Sequence, residues 1–153
     1  LQWIKEQEDV AVLLYRALKK GGRIAVQLPA KDFCWEFFDY IENAITLLGY
    51  KKFFVEWEMP WYFPTKEAYI SLLKGLGFSK IEVLYKDYRL VFESISEVLN
   101  WWSSAGIRPY LALLPGREQE YFKYAFAMSF ENNRTRGGIE FGFRRLFAFA
   151  EKR

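Results

Sequence analysis

The 153-residue sequence is long enough for one folded domain, and its 52% hydrophobic and 20% aromatic content excludes a disordered or low-complexity chain. Its 22 basic and 19 acidic residues are interspersed, so the net charge of +3 does not form the basic stripe typical of nucleic-acid binding. No apolar run approaches the roughly 20 residues of a membrane span, and no signal peptide is recognisable. We therefore expect a cytoplasmic protein without membrane or nucleic-acid partners.

The absence of histidine and the single cysteine, Cys34, restrict the chemistry that this chain can perform by itself. Histidine-based triads, Cys/His zinc sites and internal disulfides are all excluded. Acidic pairs such as Glu6/Glu8 and Glu118/Glu120 lie on predicted helix surfaces. We therefore assign no catalytic residue and no metal ligand.

The first elements predict an α/β layer. Apolar residues at helical spacing predict a helix over residues 5–20 that ends before Gly21-Gly22. Residues 23–28, closed by Pro29, predict a short strand buried on both faces, as in a parallel sheet.

The middle of the chain predicts two further helices around a loop. Asp32 is an expected N-cap for a helix with an apolar stripe from Cys34 to Leu48, ending at Gly49. Residues 51–64 predict a loop with a short extended piece at 53–57. Thr65 is the expected N-cap of the next helix, which Gly77 ends.

Alternating apolar residues predict a strand over residues 80–92. The apolar parity changes from odd to even positions, which indicates a bulge near Lys86-Asp87. Ser94 and Glu97 are spaced as a capping box for a helix that stops at Gly106. Residues 107–116 are expected to be irregular.

The end of the chain predicts a helix around residues 121–130, a polar turn at 132–138 and a long strand. One face of that strand carries phenylalanines interrupted by Arg145. An arginine directed into such a face is costly unless an anion or several carbonyls meet it. The alternative is a bulge at Arg144-Arg145 that turns both to solvent, or a pair with a nearby carboxylate.

Several signatures in a fixed order resemble the C-terminal half of class I S-adenosylmethionine-dependent methyltransferases, in particular the trans-aconitate methyltransferase family. They are residues 1–3, then residues 18–29, then residues 102–111, and the closing Phe143-Arg144-Arg145-Leu146-Phe147. In the second of them Leu18-Lys19-Lys20-Gly21-Gly22 stands where the family usually has Leu-Lys-Pro-Gly-Gly, so that Lys20 takes the place of the proline. The resemblance covers nearly the whole chain. No glycine-rich nucleotide loop is present.

This resemblance implies an α/β fold, the C-terminal half of a Rossmann-like sheet. Residues 23–28 are similar to the fifth strand, 80–92 to the sixth, and 139–150 to an antiparallel seventh strand between them. The whole chain is then one domain, and the N-terminal half that holds S-adenosylmethionine is expected to be absent. Only Gln2 and Trp3 resemble a cofactor-binding segment; the alternative for them is a terminus whose tryptophan covers apolar surface.

The resemblance also implies methylation of a small carboxylic acid or an acyl carboxylate in the intact enzyme. Arginine forks and tyrosine hydroxyls suit the binding of such a substrate. The candidate substrate-binding residues are Arg108, Tyr110, Arg145, Trp61, Phe63 and Tyr69. The alternative for Arg108 is a solvated residue that precedes a proline.

Two other classes of function compete with this interpretation. A non-catalytic module would pair with an identical copy, as a homodimer, or with a separate N-terminal half, because the fifth strand would otherwise expose an unpaired edge. A module that binds hydrophobic ligands through the aromatic-rich residues 53–63 rests on composition alone.

Overall fold

A computed structural model describes residues 1–104 and 106–153. The helices are α1 (Gln7–Ala17), α2 (Trp35–Leu47), α3 (Lys66–Gly75), α4 (Ile95–Ser103), α5 (Arg108–Leu111) and α6 (Gly116–Ser129). The strands are β1 (Arg23–Pro29), β2 (Phe78–Phe92), β3 (Arg134–Thr135) and β4 (Gly138–Lys152). Two short 3-10 helices cover Tyr50–Phe54 and Phe130–Asn133. Within the described ranges, every helix is too short or too polar to span a lipid bilayer.

The sheet has the strand order β1-β4-β2, and the short strand β3 pairs with the start of β4. Strand β4 is antiparallel to β1, in a register that runs from Arg23 opposite Glu151 to Pro29 opposite Arg145. The expected α/β class is thus confirmed. The closing strand also lies between the strands that resemble the fifth and sixth strands of the methyltransferase sheet, as the resemblance implied.

The chain divides into two compact units. Unit 1 contains residues 1–33, 60–88 and 143–153, and unit 2 contains residues 34–59 and 89–142. Each unit has a buried core of its own.

The core of unit 1 lies on the small-residue face of β4. Leu146, Ala148 and Ala150 are almost completely buried, and they cluster with residues of β1 and α3 such as Leu28 and Leu73. Alanines allow neighbouring elements to approach this face closely, which favours dense packing.

The phenylalanine face of β4 is therefore the less buried of the two faces in this unit. Phe147 is partly exposed, and Phe149 retains 40% of its accessible surface. Side-chain volume alone does not decide burial, because the neighbouring elements determine which face of a strand is covered.

The prediction that β1 is buried on both faces is also wrong. Ile24 and Leu28 are buried, whereas Ala25 and Gln27 are exposed. Strand β1 pairs antiparallel with β4 and shows the one-sided burial that is common in antiparallel sheets.

Unit 2 has an aromatic core built from helices α2, α4 and α6 and the start of β4. The rings of Phe37 and Trp102 lie 4.2 Å apart between centroids, and those of Phe130 and Phe141 lie 5.2 Å apart. Ile139 and Phe141, at odd positions of β4, are buried here.

Two predicted helix caps are confirmed. The Thr65 hydroxyl accepts a hydrogen bond from the Ala68 amide at 3.1 Å, and the Ser94 hydroxyl accepts one from the Glu97 amide at 3.3 Å. These bonds satisfy amides that a helix N-terminus leaves without partners. The Glu97 carboxylate accepts a hydrogen bond from the amide of Glu93, the residue before the N-cap, at 2.9 Å, and not from the amide of Ser94 as in a complete capping box.

Three local predictions are wrong. Cys34, not Asp32, is the N-cap position of α2; Asp32 has φ of 60° in the turn before it, a conformation that aspartate tolerates. The piece expected to be extended at 53–57 begins inside the 3-10 helix Tyr50–Phe54. The region 107–116 contains α5, with a proline in its first turn.

The parity change predicted for β2 is present in the burial pattern. Lys86 and Asp87 are consecutive exposed residues, after which the even positions are the less exposed ones. The strand itself continues from Phe78 to Phe92.

The Cys34 thiol is buried in unit 2. Burial, the largest effect, raises its pKa from 9.0 to about 12, and the Glu36 carboxylate adds to the shift. The Glu36 carboxylate accepts a hydrogen bond from the thiol at 3.8 Å. Cys34 is therefore a protonated packing residue at neutral pH and not a nucleophile.

We expect Leu146→Ala to lower the free energy of unfolding by about 2–5 kcal/mol, because it leaves a cavity in the core of unit 1. Phe149→Ala, on the opposite face of β4, should cost less than about 1 kcal/mol despite removing a larger side chain. Denaturant unfolding measures both. A larger loss for Phe149→Ala would contradict the assignment of the buried face.

We expect the free energy of unfolding to fall as the pH rises from about 9 towards 12, because the unfolded thiol ionises before the folded one. Cys34→Ala should remove this part of the pH dependence, while the difference between the two proteins stays constant below pH 9. Unfolding curves between pH 7 and pH 11 measure this. Parallel pH profiles for both proteins above pH 9 would show that the thiol is not buried in this way.

Candidate functional site

Unit 1 contains a chain of aromatic rings that we call the aromatic cluster. Its members are Trp3, Phe33, Trp61, Phe63, Tyr88 and Phe143. Phe33 is its centre, with ring centroids 5.6 Å from Phe63 and 5.7 Å from Phe143. These separations are typical of favourable aromatic pairs.

Backbone hydrogen bonds hold the turn that carries Phe33. The Phe33 carbonyl accepts from the amide of Arg144 at 2.8 Å, and the Arg144 carbonyl accepts from the amide of Ala30 at 3.2 Å. The amide of Lys31 donates to the Pro64 carbonyl at 2.9 Å. The turn after β1 is thus fixed to both β4 and the segment that carries Trp61 and Phe63.

Arg145 lies at the edge of the aromatic cluster. It follows Phe143 on the same face of β4, and its strand partner is Pro29. The guanidinium carbon lies 5.9 Å from the centroid of the Phe33 ring. The position predicted to interrupt the phenylalanine face is therefore beside aromatic rings.

The Arg145 guanidinium is half-buried, and burial lowers its pKa below the usual arginine value. Within residues 1–104 and 106–153, it has no hydrogen-bond or ion-pair partner. Removal of a cation from water without a counter-charge is unfavourable. An anion that reached this guanidinium would relieve that cost.

The neighbouring Arg144 shows the opposite situation. Its guanidinium donates two hydrogen bonds to the Asp87 carboxylate, at 2.7 and 3.0 Å, and these bonds lower the pKa of Asp87. The predicted alternative of a carboxylate pair therefore applies to Arg144 but not to Arg145. The regular register up to Arg145 also gives no sign of a bulge that would turn both side chains to solvent.

The structure brings together four of the eight residues predicted for the site. Trp3, Trp61 and Phe63 belong to the aromatic cluster, and Arg145 lies at its edge. Sequence reasoning missed Phe33 and Tyr88 as members. Phe143 shares its strand parity with Arg145, and this signal could have identified it.

Gln2 and Tyr69 have structural roles in unit 1. The Gln2 carbonyl accepts a hydrogen bond from the Tyr62 amide at 2.8 Å, which ties the start of the chain to the segment around Trp61. Tyr69 is 3% exposed in the core beside Leu146, and burial raises its pKa to about 12. Leu146 lies on the opposite face of β4 from Arg145, and none of the described ring contacts joins Tyr69 to the aromatic cluster.

Arg108 and Tyr110 belong to unit 2. The exposed Arg108 donates from Nε to the carbonyl of Ser103 at 3.1 Å. Tyr110 is 3% exposed, with its ring 4.6 Å from that of Trp57, and burial raises its pKa. Much of the 102–111 signature thus forms core and turn structure; Ala105, within it, lies outside the described residues.

Comparison with known sequences confirms the resemblance to the C-terminal part of trans-aconitate methyltransferases. No protein-family model matches the chain. A trans-aconitate 2-methyltransferase of Deinococcus radiodurans is 28% identical over 131 residues, which cover 80% of this chain and 48% of the relative. One of Acidovorax sp. is 24% identical over 169 residues, which cover 99% of this chain and 60% of the relative. The chain thus spans 48 to 60% of the length of these relatives.

Comparison with solved structures finds further methyltransferases at low similarity. A protein of Bacillus halodurans described as a methyltransferase has a TM-score of 0.48 and 13% identity, over 99% of this chain and 60% of that one. A phosphoethanolamine N-methyltransferase of Haemonchus contortus has a TM-score of 0.42 and 16% identity, over 98% and 31% of the two chains. The α/β fold class rests on the observed elements and strand order.

Proposed function

We propose that this chain is the substrate-binding, C-terminal half of an S-adenosylmethionine-dependent methyltransferase that acts on a small carboxylic acid or an acyl carboxylate. One observation carries the proposal: Arg145 presents a half-buried guanidinium without a counter-charge in the described chain, beside the aromatic cluster. The similarity to trans-aconitate 2-methyltransferases supports the reaction class.

The role of Arg145 is to hold the carboxylate of the substrate. Two parallel N–H groups of a guanidinium match the two oxygens of a carboxylate and fix its orientation. The neighbouring rings, of which Phe33 is the nearest one described, reduce the access of water and so strengthen this charge interaction. Orientation of an already bound nucleophile accounts for a large share of the catalysis of such reactions.

Methylation of a carboxylate requires no general base from this chain. A carboxylate is already ionised at pH 7, because its pKa lies well below that value. The absence of histidine is therefore compatible with the proposed reaction. The residues needed are those that bind the substrate, orient its carboxylate and exclude water from it.

The described residues do not fit S-adenosylmethionine by themselves. Gly21, in one Gly-Gly pair, ends the turn after α1 and donates from its amide to the Lys152 carbonyl at 2.9 Å. In the other pair, Gly137 lies in the turn before β4 and Gly138 is the first residue of that strand. Neither pair forms a glycine-rich loop between a strand and a helix, and we assign no step to the cofactor here.

The cofactor would instead be held by the part of the methyltransferase sheet that these residues do not cover. Strand β1 is at the edge of the described sheet, and no other strand of residues 1–104 and 106–153 pairs with its free side. Ala25 and Gln27 are exposed on one of its faces. Such a strand suits pairing with a further strand, either in the same protein or in a separate chain.

Arg108 remains a second candidate for a carboxylate ligand. It is an exposed cation at the start of α5, and its only described side-chain bond leaves part of the guanidinium fork available. Tyr110 and Tyr69 are better explained as core residues, because both are 3% exposed.

We expect Arg145→Gln, in the cofactor-binding protein that contains this chain, to raise KM for a carboxylate substrate about tenfold or more, because a charge-assisted hydrogen-bonded pair is lost. Arg144→Gln is the matched control and should leave KM within about twofold, since Arg144 already pairs with Asp87. Arg108→Gln tests the second candidate in the same way. Steady-state methylation kinetics provide the measurement.

Calorimetry with S-adenosylmethionine is the control for folding and should show equal cofactor affinity for all three variants. Unchanged KM in both Arg145→Gln and Arg108→Gln, with cofactor binding intact, would refute the assignment of the carboxylate site.

A further inference from the structure

We infer that the Arg145 site selects a monocarboxylate with a planar unsaturated or aromatic body over di- and tricarboxylates. This inference rests on the proposed function and concerns the substrate that the same site prefers. Two features of unit 1 support it: the number of cations at the site and the shape of the surrounding rings.

The described part of unit 1 supplies one half-buried cation at the aromatic cluster. Arg144, which precedes Arg145 in the chain, forms a salt bridge with Asp87. Arg23 and Lys80 both bind the Glu151 carboxylate, at 3.1 and 2.8 Å. These side chains are therefore not available to neutralise a second carboxylate.

Lys86 is the remaining basic side chain with a described contact to the aromatic cluster. Its ammonium lies 5.0 Å from the centroid of the Tyr88 ring, and the residue is exposed. An exposed ammonium in high dielectric binds a carboxylate only weakly. A second or third carboxylate of a substrate would thus lie against aromatic rings or in water, and it would add little favourable binding free energy.

Three partly exposed rings of the aromatic cluster offer flat apolar surfaces, whereas the ring of Trp61 is buried. Tyr88 and Phe143 are stacked with an interplanar angle of 12° and a centroid distance of 5.2 Å, and Trp61 and Phe63 with an angle of 5° and 6.0 Å. Tyr88, Phe143 and Phe63 are partly exposed. A planar substrate body gains stacking contacts on such surfaces and loses little conformational freedom on binding.

Phe33 connects the two features. Its ring contacts Phe63 and Phe143, and it is the ring closest to the Arg145 guanidinium among the contacts described. An acid held by Arg145 therefore places the carbon atoms next to its carboxylate near Phe33. Removal of the flat Phe33 ring should weaken the preference for planar acids more than it weakens binding of the carboxylate.

The test compares three acids as substrates of the cofactor-binding protein that contains this chain: trans-cinnamate, hexanoate and trans-aconitate. Methyl ester formation from labelled S-adenosylmethionine gives kcat/KM for each acid. We expect kcat/KM for trans-cinnamate to exceed kcat/KM for each of the other two acids by about tenfold or more. Arg145→Gln should lower kcat/KM for trans-cinnamate by a similar factor.

Phe33→Leu keeps an apolar side chain but removes the planar ring. We expect this variant to reduce the ratio of kcat/KM for trans-cinnamate to kcat/KM for hexanoate to about threefold or less. The reason is that the substrate loses its stacking contact with the ring, whereas its carboxylate keeps the contact with Arg145. Phe149→Leu, on the same face of β4 as Arg145, is the matched control and should leave the ratio unchanged. Far-UV circular dichroism and thermal unfolding confirm that the variants fold.

The outcomes separate the two claims. Preference for trans-aconitate, or a ratio that Phe33→Leu leaves unchanged, overturns the inferred selectivity while methylation of acids still supports the proposed function. No ester from any of the acids, with S-adenosylmethionine bound and the protein folded, overturns the selectivity together with the proposed carboxylate methylation.

Discussion

The register of β4 against β1 is the constraint on which the other features of unit 1 depend. Because side chains alternate along a strand, the pairing of Leu28 with Leu146 assigns Leu146, Ala148 and Ala150 to the core. The same pairing assigns Arg145 to the other face. A slip by one residue would bury the arginine and expose the alanines, so the packing of the core also positions the candidate site.

Two adjacent arginines on this strand differ in burial and in interaction partners, because they lie on opposite faces of the strand. Arg144 forms a fork with Asp87 at the surface, whereas Arg145 is half-buried beside Phe33 without a carboxylate in the described chain. An exposed pair of the first kind adds little stability. A cation of the second kind is a cost to the folded protein, and the substrate anion that we propose would offset this cost.

Local signals in the sequence were sufficient for the helix caps at Thr65 and Ser94 and for the closing strand, because these features depend on a few consecutive residues. The position of that strand in the sheet came from the family resemblance. The buried face of β4 could not be predicted, since it depends on helices that pack from distant parts of the chain. For the same reason Phe33 was missed as a member of the aromatic cluster, and Tyr110 could not be recognised as part of an aromatic core.

A crystal structure of the proposed methyltransferase with a carboxylate substrate and S-adenosylhomocysteine would test the central claim most directly. The proposed site requires the two carboxylate oxygens to accept hydrogen bonds from the Arg145 guanidinium at about 2.7–2.9 Å, with the substrate body against Phe33. A carboxylate bound instead to Arg108, or to groups outside this chain, with the Arg145 guanidinium out of contact, would contradict it.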